Sequence, residues 1–300
     1  MLNTLSSVIS SNISNHNKKL NSIIHGDCIE VLRTFPNDTF DLIFVDPPYY
    51  LQLPNNKRLK RFDGSEIIPV YDEWDKFENY EDFDKFTLSW LTECQRVLKP
   101  TGTIWVIGMY HSIFRVGKIM QDLGLWFLND VIWVKMGALP NLNGRRFTNN
   151  HETLIWAVKN KNCKNYTFNY ESLKEINKGK QMKDTDWVFP ICTGAERLRD
   201  KNGIKLHNTQ KPIKLIQRVI LTASNKGDLI LDPFLGSGTT AVAAEELDRN
   251  WIGIEKNRKY VELAKNRISM FRNKSVNKIS TRNGLMQSNK EKGLCPAEKE

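Results

Sequence analysis

The sequence predicts an α/β protein whose mostly parallel sheet carries helices on both faces. Apolar strand patterns alternate with helical patterns along most of the 300 residues, which is typical of a parallel sheet. A glycine turn at 236–238 separates a strand from a helix, and a diproline at 47–48 ends a buried strand. These three observations together predict the fold class.

The first half of the chain follows a polar leader at 1–20. Short apolar runs predict strands at 23–27, 41–45, 103–108 and 128–134, and helical spacing predicts helices at 28–34, 83–98 and 113–123. The second strand stops at the diproline, because proline cannot continue a β-ladder. The helix at 83–98 is amphipathic and ends just before Pro100.

The second half repeats the alternation around a polar segment at 160–210 that follows no period. Strands are predicted at 153–158, 228–232 and 251–255, and helices at 212–223, 240–247 and 260–271. We expect one folded domain at 21–272, with inserted loops at about 51–80 and 135–210. The polar residues at 273–300 are expected to form a disordered tail.

Composition limits the class of protein. The net charge of +10 suits a protein that binds a polyanion, although unrelated basic proteins share it. The sequence shows neither an apolar run that could cross a bilayer nor a secretory signal, so we expect a cytoplasmic protein. The five cysteines form no CxxC pair, which predicts reduced thiols and no metal site.

The glycine turn suggests a site for a nucleotide-like cofactor. Gly236 and Gly238 would let a ligand approach the backbone beside the N–H groups of the following helix. Glu255 closes the next strand, where a carboxylate can hold both hydroxyls of a ribose. No Gly-Lys-Ser/Thr follows, which disfavours a phosphate-binding P-loop. A dinucleotide, S-adenosylmethionine and a plain structural turn remain open.

The residues Asp46, Pro47, Pro48 and Tyr49 suit methyl transfer to N6 of adenine. That nitrogen is a poor nucleophile, because its lone pair is delocalised into the ring. The carboxylate of Asp46 and the carbonyl of Pro47 could accept hydrogen bonds from both amino hydrogens, and the diproline would preorganise them. Tyr49 offers a ring on which an extruded base can stack. The alternative is a structural loop in which Asp46 caps a turn.

With this loop placed before the glycine turn, the chain resembles the permuted (β-class) amino-methyltransferases of DNA. His25-Gly26-Asp27-Cys28 resembles the short Gly-Asp motif of that family, and Thr209-Gln210-Lys211-Pro212 resembles its motif near the methionine end of the cofactor. The resemblance covers about residues 21–272. It implies a Rossmann-like, seven-stranded methyltransferase sheet, S-adenosylmethionine as cofactor, and double-stranded DNA as partner.

The resemblance also implies individual site residues. Those expected at the cofactor are Asp27, Asp46, Thr209, Gln210, Lys211, Asp232, Phe234, Gly236, Ser237, Gly238, Thr239, Thr240 and Glu255. Those expected at DNA are Lys57, Arg58, Arg145, Arg146, Asn149 and His151. Arginine can pair with guanine and asparagine with adenine in the major groove, but either can instead contact phosphates. For Lys57 and Arg58 a solvated basic loop is an equal alternative.

Further segments resemble the cell-cycle-regulated adenine methyltransferases and the restriction-system enzymes that share their GANTC target. They are Asp72-Glu73-Trp74-Asp75, the stretch 128–133, Gly144-Arg145-Arg146-Phe147-Thr148-Asn149, His151-Glu152-Thr153 and the stretch 192–197. This implies N6 methylation within GANTC in a bacterial, nucleoid-associated enzyme. A homodimer and a cognate restriction endonuclease are compatible with it.

Two alternative functions remain open, and one feature of the chain departs from the subgroup. The alternatives are an N4-cytosine methyltransferase of the same fold, which usually has serine in place of Asp46, and a DNA-binding relic without turnover. An oxidoreductase would not need the diproline loop. The subgroup typically carries a further C-terminal DNA-binding region, whereas here a short Lys/Asn-rich tail follows, so we expect altered affinity for DNA.

Overall fold

The computed structural model describes most of the predicted domain. The described residues are 19–51, 59–60, 66–67, 75–137, 145, 147–180, 185–207 and 209–291, with the backbone alone at 59–60, 66–67 and 275–291.

The described chain contains a large sheet, a small two-stranded sheet and α-helices that alternate with the strands along the sequence. The strands are β1 Ser22–His25, β2 Phe40–Val45, β3 Leu59–Lys60, β4 Glu66–Ile67, β5 Leu98–Gly108, β6 Trp126–Met136, β7 His151–Val158, β8 Asp186–Pro190, β9 Leu229–Asp232 and β10 Asn250–Glu255. The α-helices are α1 Cys28–Arg33, α2 Tyr80–Val97, α3 Ile113–Asp122, α4 Tyr170–Ile176, α5 Ile213–Ala223, α6 Thr239–Glu246 and α7 Arg258–Glu291.

The main sheet has the strand order β1-β10-β9-β2-β5-β7-β6-β8. Every neighbouring pair is parallel except those made by β7, which runs antiparallel to both β5 and β6. The predicted α/β fold with a mostly parallel sheet is therefore confirmed. The strands β3 and β4 form a separate antiparallel pair within the segment 51–80.

Within the described residues the sheet has eight strands, one more than predicted. The additional strand, β8, pairs with β6 at the edge, in the polar segment that the sequence predicts to be a loop. An edge strand needs only one buried face, and here Trp187 alone is buried. So short a pattern gives no periodicity that separates it from a loop.

Apolar side chains pack on both faces of the sheet. On one face α1, α2 and α3 contribute Leu32, Trp90 and Met120 to the core. On the other face α5 and α6 contribute Ile216 and Ala243, with α7 beside them. This confirms the expected helices on both faces. In the described part of the chain, no helix is both long and apolar enough to cross a membrane.

The last helix extends beyond its predicted end. The apolar period stops at Phe271, so the sequence predicts a helix over 260–271 and a disordered tail from 273. The structure instead continues α7 to Glu291. Residues 273–291 contain no proline that would end a helix, which is why the backbone can continue without an apolar period.

Candidate active site

The parallel strands β1, β2, β9 and β10 end at one edge of the sheet, beside a cavity of about 690 Å³. Ligands of open α/β sheets bind at this edge. The lining includes every residue predicted at the cofactor except Gly238. Those residues are Asp27, Asp46, Thr209, Gln210, Lys211, Asp232, Phe234, Gly236, Ser237, Thr239, Thr240 and Glu255. The structure thus brings together segments from both halves of the chain.

The glycine turn needs its glycines for two different reasons. Both adopt left-handed backbone, with φ of 52° at Gly236 and 78° at Gly238. A Cβ on Gly236 would lie 2.8 Å from Nε2 of His207, whereas a Cβ on Gly238 would lie 3.0 Å from Cβ of Ala264 in α7. Gly236 therefore leaves room on the cavity side, and Gly238 allows the turn to pack against the last helix.

Two acidic side chains, Asp232 and Glu255, lie at the base of the cavity. Burial raises the pKa of Asp232 to about 7 and also raises the pKa of Glu255. Glu255 accepts a hydrogen bond from the backbone N–H of Gly236 at 2.8 Å. Among the described residues no salt bridge reaches either carboxyl group, so both can interact with a polar or cationic ligand rather than a phosphate.

His207 adds a neutral ring to the cavity wall. Burial, with smaller contributions from nearby Lys211, Arg197 and Arg267, lowers the pKa of His207 to about 3. Its ring lies 4.6 Å from that of Tyr260, centroid to centroid. In the described part of the chain its buried Nδ1 has no hydrogen-bond partner. The neutral ring thus forms part of the cavity wall beside the glycine turn.

Both oxygens of the Asp46 carboxylate are engaged. The Tyr49 hydroxyl donates to Oδ1 at 2.7 Å, and the Lys211 ammonium lies 2.9 Å from Oδ2. Burial raises the pKa of Asp46, while the charge of Lys211 counteracts it. Pro47, Pro48 and Tyr49 are buried, so the loop is held in one conformation. The loop predicted from the diproline thus presents a carboxylate to the cavity.

A second carboxylate, that of Glu152, also contacts the Tyr49 hydroxyl. Its Oε2 is 3.1 Å from the Tyr49 hydroxyl and 3.7 Å from Nζ of Lys211, and its Oε1 is 2.7 Å from Nζ of Lys135. Burial opposes ionisation, but the two ammonium groups outweigh it, so the pKa of Glu152 lies below its ordinary value. Two carboxylates, of Asp46 and Glu152, and two ammonium groups, of Lys211 and Lys135, therefore surround the Tyr49 hydroxyl.

Asp75 holds the backbone that follows the diproline. Its Oδ1 accepts hydrogen bonds from the backbone N–H groups of Tyr49 and Tyr50, at 2.6 and 2.7 Å, and its Oδ2 accepts from that of Leu51 at 2.9 Å. Tyr50 has a φ of 53°, which is uncommon for a residue with a side chain. The carboxylate compensates for this backbone conformation by satisfying three successive donors.

Comparison with known proteins identifies the family. Residues 40–266 match the family described as DNA methylase. The chain is 50% identical over 254 residues to the Type II methyltransferase M.HinfI of Haemophilus influenzae, covering 85% of this chain and 70% of that protein. It is 38% identical to the Type II methyltransferase M2.DpnII of Streptococcus pneumoniae, covering 84% and 91% respectively.

The chain belongs to the DNA methylase family. The prediction of a DNA methyltransferase is therefore confirmed, and DNA is its substrate. The fold agrees: the methylase superposes on the crystal structure of the M1.HpyAVI–SAM complex with a TM-score of 0.59 and 27% identity. The match covers 82% of this chain and 98% of that one.

Of the six residues predicted to contact DNA, the structure of this methylase describes three. Arg145 is exposed, and His151, also exposed, is the first residue of β7 rather than part of a loop. Asn149 is partly buried, and between Asn149 and Arg145 the side chain of Phe147 is 99% exposed. The predicted contacts Lys57, Arg58 and Arg146 lie outside the described residues. Of the described residues, His151 thus begins β7 next to Glu152, whereas Arg145 and Asn149 precede that strand in the sequence.

Several site residues of the methylase are not apparent as such in the sequence. Glu152 and Asp75 lie within segments that carry the subgroup resemblance, but nothing local predicts their contacts with Tyr49. Lys135 and His207 have no motif signal beyond their neighbours. Glu152 meets Tyr49 across 103 positions of sequence, a contact that only the folded chain defines.

Proposed function

We propose that this methylase transfers a methyl group from S-adenosylmethionine to N6 of adenine within GANTC. The observation that carries the proposal is the position of Asp46 at the cavity, beside a diproline and a tyrosine. The carboxylate distinguishes the chain from N4-cytosine enzymes of this fold, which usually have serine there. The relationship to M.HinfI and to a relative solved with SAM supports the cofactor.

The cavity fits this cofactor. Glu255 and the Gly236 turn would hold the ribose. Asp232 and Asp46 provide carboxyl oxygens, which suit a sulfonium and an ammonium group better than phosphates. When bound, S-adenosylmethionine supplies a methyl group on a positively charged sulfur.

The residues of the chain would then prepare the target nitrogen. An oxygen of Asp46 and the carbonyl of Pro47 accept hydrogen bonds from the amino group, so that its lone pair can point at the methyl carbon. The ammonium of Lys211 opposes the effect of burial on the pKa of Asp46 and so favours the ionised, accepting form. The base must leave the duplex to reach this cavity.

The recognition sequence rests on the subgroup resemblance together with the 50% identity to M.HinfI. Arg145 and Asn149 would contact DNA from the segment between β6 and β7, and His151 from the first position of β7. We expect Arg145→Ala to relax specificity at one base pair, because a bidentate arginine contact discriminates by about 1–3 kcal/mol. A uniform loss of affinity with a flatter salt dependence would assign Arg145 to a phosphate instead. Because both relatives are Type II methyltransferases, we include a cognate restriction endonuclease in the proposal.

The chemistry is tested by methylating duplexes with labelled S-adenosylmethionine and separating the nucleosides. We expect labelled N6-methyladenine from a GANTC duplex and none from a duplex in which the adenine of each strand is replaced. Asp46→Ala should abolish transfer while calorimetry still detects cofactor binding at the glycine turn. Labelled N4-methylcytosine, or full activity in Asp46→Ala, would overturn the proposal.

A further inference from the structure

The Tyr49 hydroxyl lies between two carboxylates but has only one hydrogen to donate. It is 2.7 Å from Oδ1 of Asp46 and 3.1 Å from Oε2 of Glu152. The shorter distance places the hydrogen bond on Asp46. With Lys211 at 2.9 Å from the other oxygen, neither oxygen of Asp46 is without a donor. An amino hydrogen arriving at Oδ1 of Asp46 would therefore share that oxygen with the Tyr49 hydroxyl.

Two donors on one oxygen weaken each other's hydrogen bonds, so the target amino group is held most strongly if one of the two donors leaves Asp46. Lys211 is buried, and its next anionic partner, Glu152 Oε2, is 3.7 Å away, so its departure would require the side chain to move. The Tyr49 hydroxyl needs no such movement. Rotation of the hydroxyl hydrogen about the C–O bond redirects it from Asp46 to Glu152, because both oxygens already lie within hydrogen-bond distance.

The position of Glu152 suits it to accept this hydrogen bond. It stands in β7 opposite Trp133 of β6, is 6% exposed, and is anchored through Oε1 to Lys135, two positions further along β6. The anchor leaves Oε2 directed at the tyrosine. Since Lys135 and Lys211 favour its ionised form, Glu152 is a charged acceptor, and charged acceptors form the stronger hydrogen bonds.

We propose that Glu152 is a positioning residue that takes over the hydrogen bond of the Tyr49 hydroxyl and thereby frees Oδ1 of Asp46 for the target amino group. No covalent bond changes, and Tyr49 keeps its proton throughout, since burial beside two carboxylates raises its pKa well above the ordinary value. Lys211 remains on Oδ2. The inference rests on the proposed function, because it requires an amino group at Asp46.

A double-mutant cycle tests the exchange. Glu152→Gln keeps the shape but removes the charge, and we expect it to lower the single-turnover methylation rate by roughly tenfold to a hundredfold, the range for a lost charged hydrogen-bond partner. In Tyr49→Phe there is no hydroxyl to redirect, so Glu152→Gln should then cost less than about threefold. An equal loss in both backgrounds would mean that Glu152 acts only structurally and would overturn the inference.

Binding provides a second readout that does not depend on turnover. We would compare a duplex carrying adenine at the target with one carrying purine, which lacks the amino group, each opposite an abasic site so that neither base has a pairing partner to lose on leaving the duplex. The wild-type protein should prefer adenine, and Glu152→Gln should lose most of that preference. If the wild-type protein shows no preference, the proposed function fails; if it does and Glu152→Gln retains it, only the present inference fails.

Folding of the variants is checked by urea unfolding and cofactor binding, with Glu171→Gln, an exposed glutamate of α4, as the matched control. Should Glu152→Gln not fold, Tyr49→Phe alone decides. The inference requires Tyr49→Phe to prefer adenine over purine at least as strongly as the wild-type protein does. A weaker preference would show that the hydroxyl contacts the target base itself, which would overturn the exchange.

Discussion

Asp75 offers the sharpest test of how the loop after the diproline is held. Its carboxylate accepts three backbone hydrogen bonds, from Tyr49, Tyr50 and Leu51, at 2.6 to 2.9 Å. A hydrogen bond to a charged group contributes about 1.5–3 kcal/mol net. The three share one carboxylate and are not additive, so we expect Asp75→Ala to lower the free energy of unfolding by about 3 kcal/mol. Asp75→Asn retains one oxygen and should lose about 1.5–3 kcal/mol, the contribution of one such bond.

Activity should fall further than stability alone explains. Without Asp75 the backbone of Tyr49 is free to shift, and a displacement of about 1 Å at a reacting group can cost roughly a hundredfold in rate. The measurements are urea unfolding and single-turnover methylation. Asp122→Asn, which disrupts an exposed pair with Lys118 in α3, is the matched control and should change stability by less than about 0.5 kcal/mol. If Asp75→Ala matches that control in both measurements, the reasoning is refuted.

Further predictions concern the cofactor cavity. Gly236→Ala should weaken S-adenosylmethionine binding at least roughly tenfold by calorimetry, because the added Cβ would meet His207 and displace that ring. The control for backbone strain is Gly124→Ala, because Gly124 also has a positive φ but a Cβ there would have no atom within 4 Å. Because the folded-state pKa of Asp232 is raised from 3.8 to about 7, stability should fall as pH rises through that window. Urea unfolding across pH should show that Asp232→Asn removes this fall. The depressed pKa of His207 acts oppositely: stability should be lost as pH falls from 6.5 towards about 3, and His207→Gln should reduce that loss. Unchanged pH profiles in these variants would contradict the pKa shifts.

The parts of the fold that the sequence predicts are those encoded locally. The strand β2 is apolar along nearly its whole length and ends at Val45, directly before Asp46. The turn at Gly236 carries its own conformational requirement. Such patterns are sufficient to place the strand ends, and therefore the cavity. The edge strand β8 and the extension of α7 to Glu291 have no comparable period, which is why the sequence predicts a loop and a disordered tail there.

The sequence predicts the site residues that belong to recognisable motifs, but not the contacts between them. The motif residues predict Asp46, Tyr49 and Lys211, yet not that Lys211 is paired with Asp46 across 165 positions. The contacts made by Glu152 and Asp75 are likewise set by strand pairing and loop packing. A buried charge network depends on which side chains meet in three dimensions, and no local pattern encodes that.

The central claim is that this methylase modifies N6 of adenine within GANTC. It is tested most directly by single-molecule sequencing of DNA methylation in cells that express the protein and, separately, Asp46→Ala. We predict N6-methyladenine confined to GANTC with the wild-type chain and no mark with the variant. Methylated adenine confined to another sequence would contradict the assigned site, and N4-methylcytosine in its place would contradict the assigned chemistry.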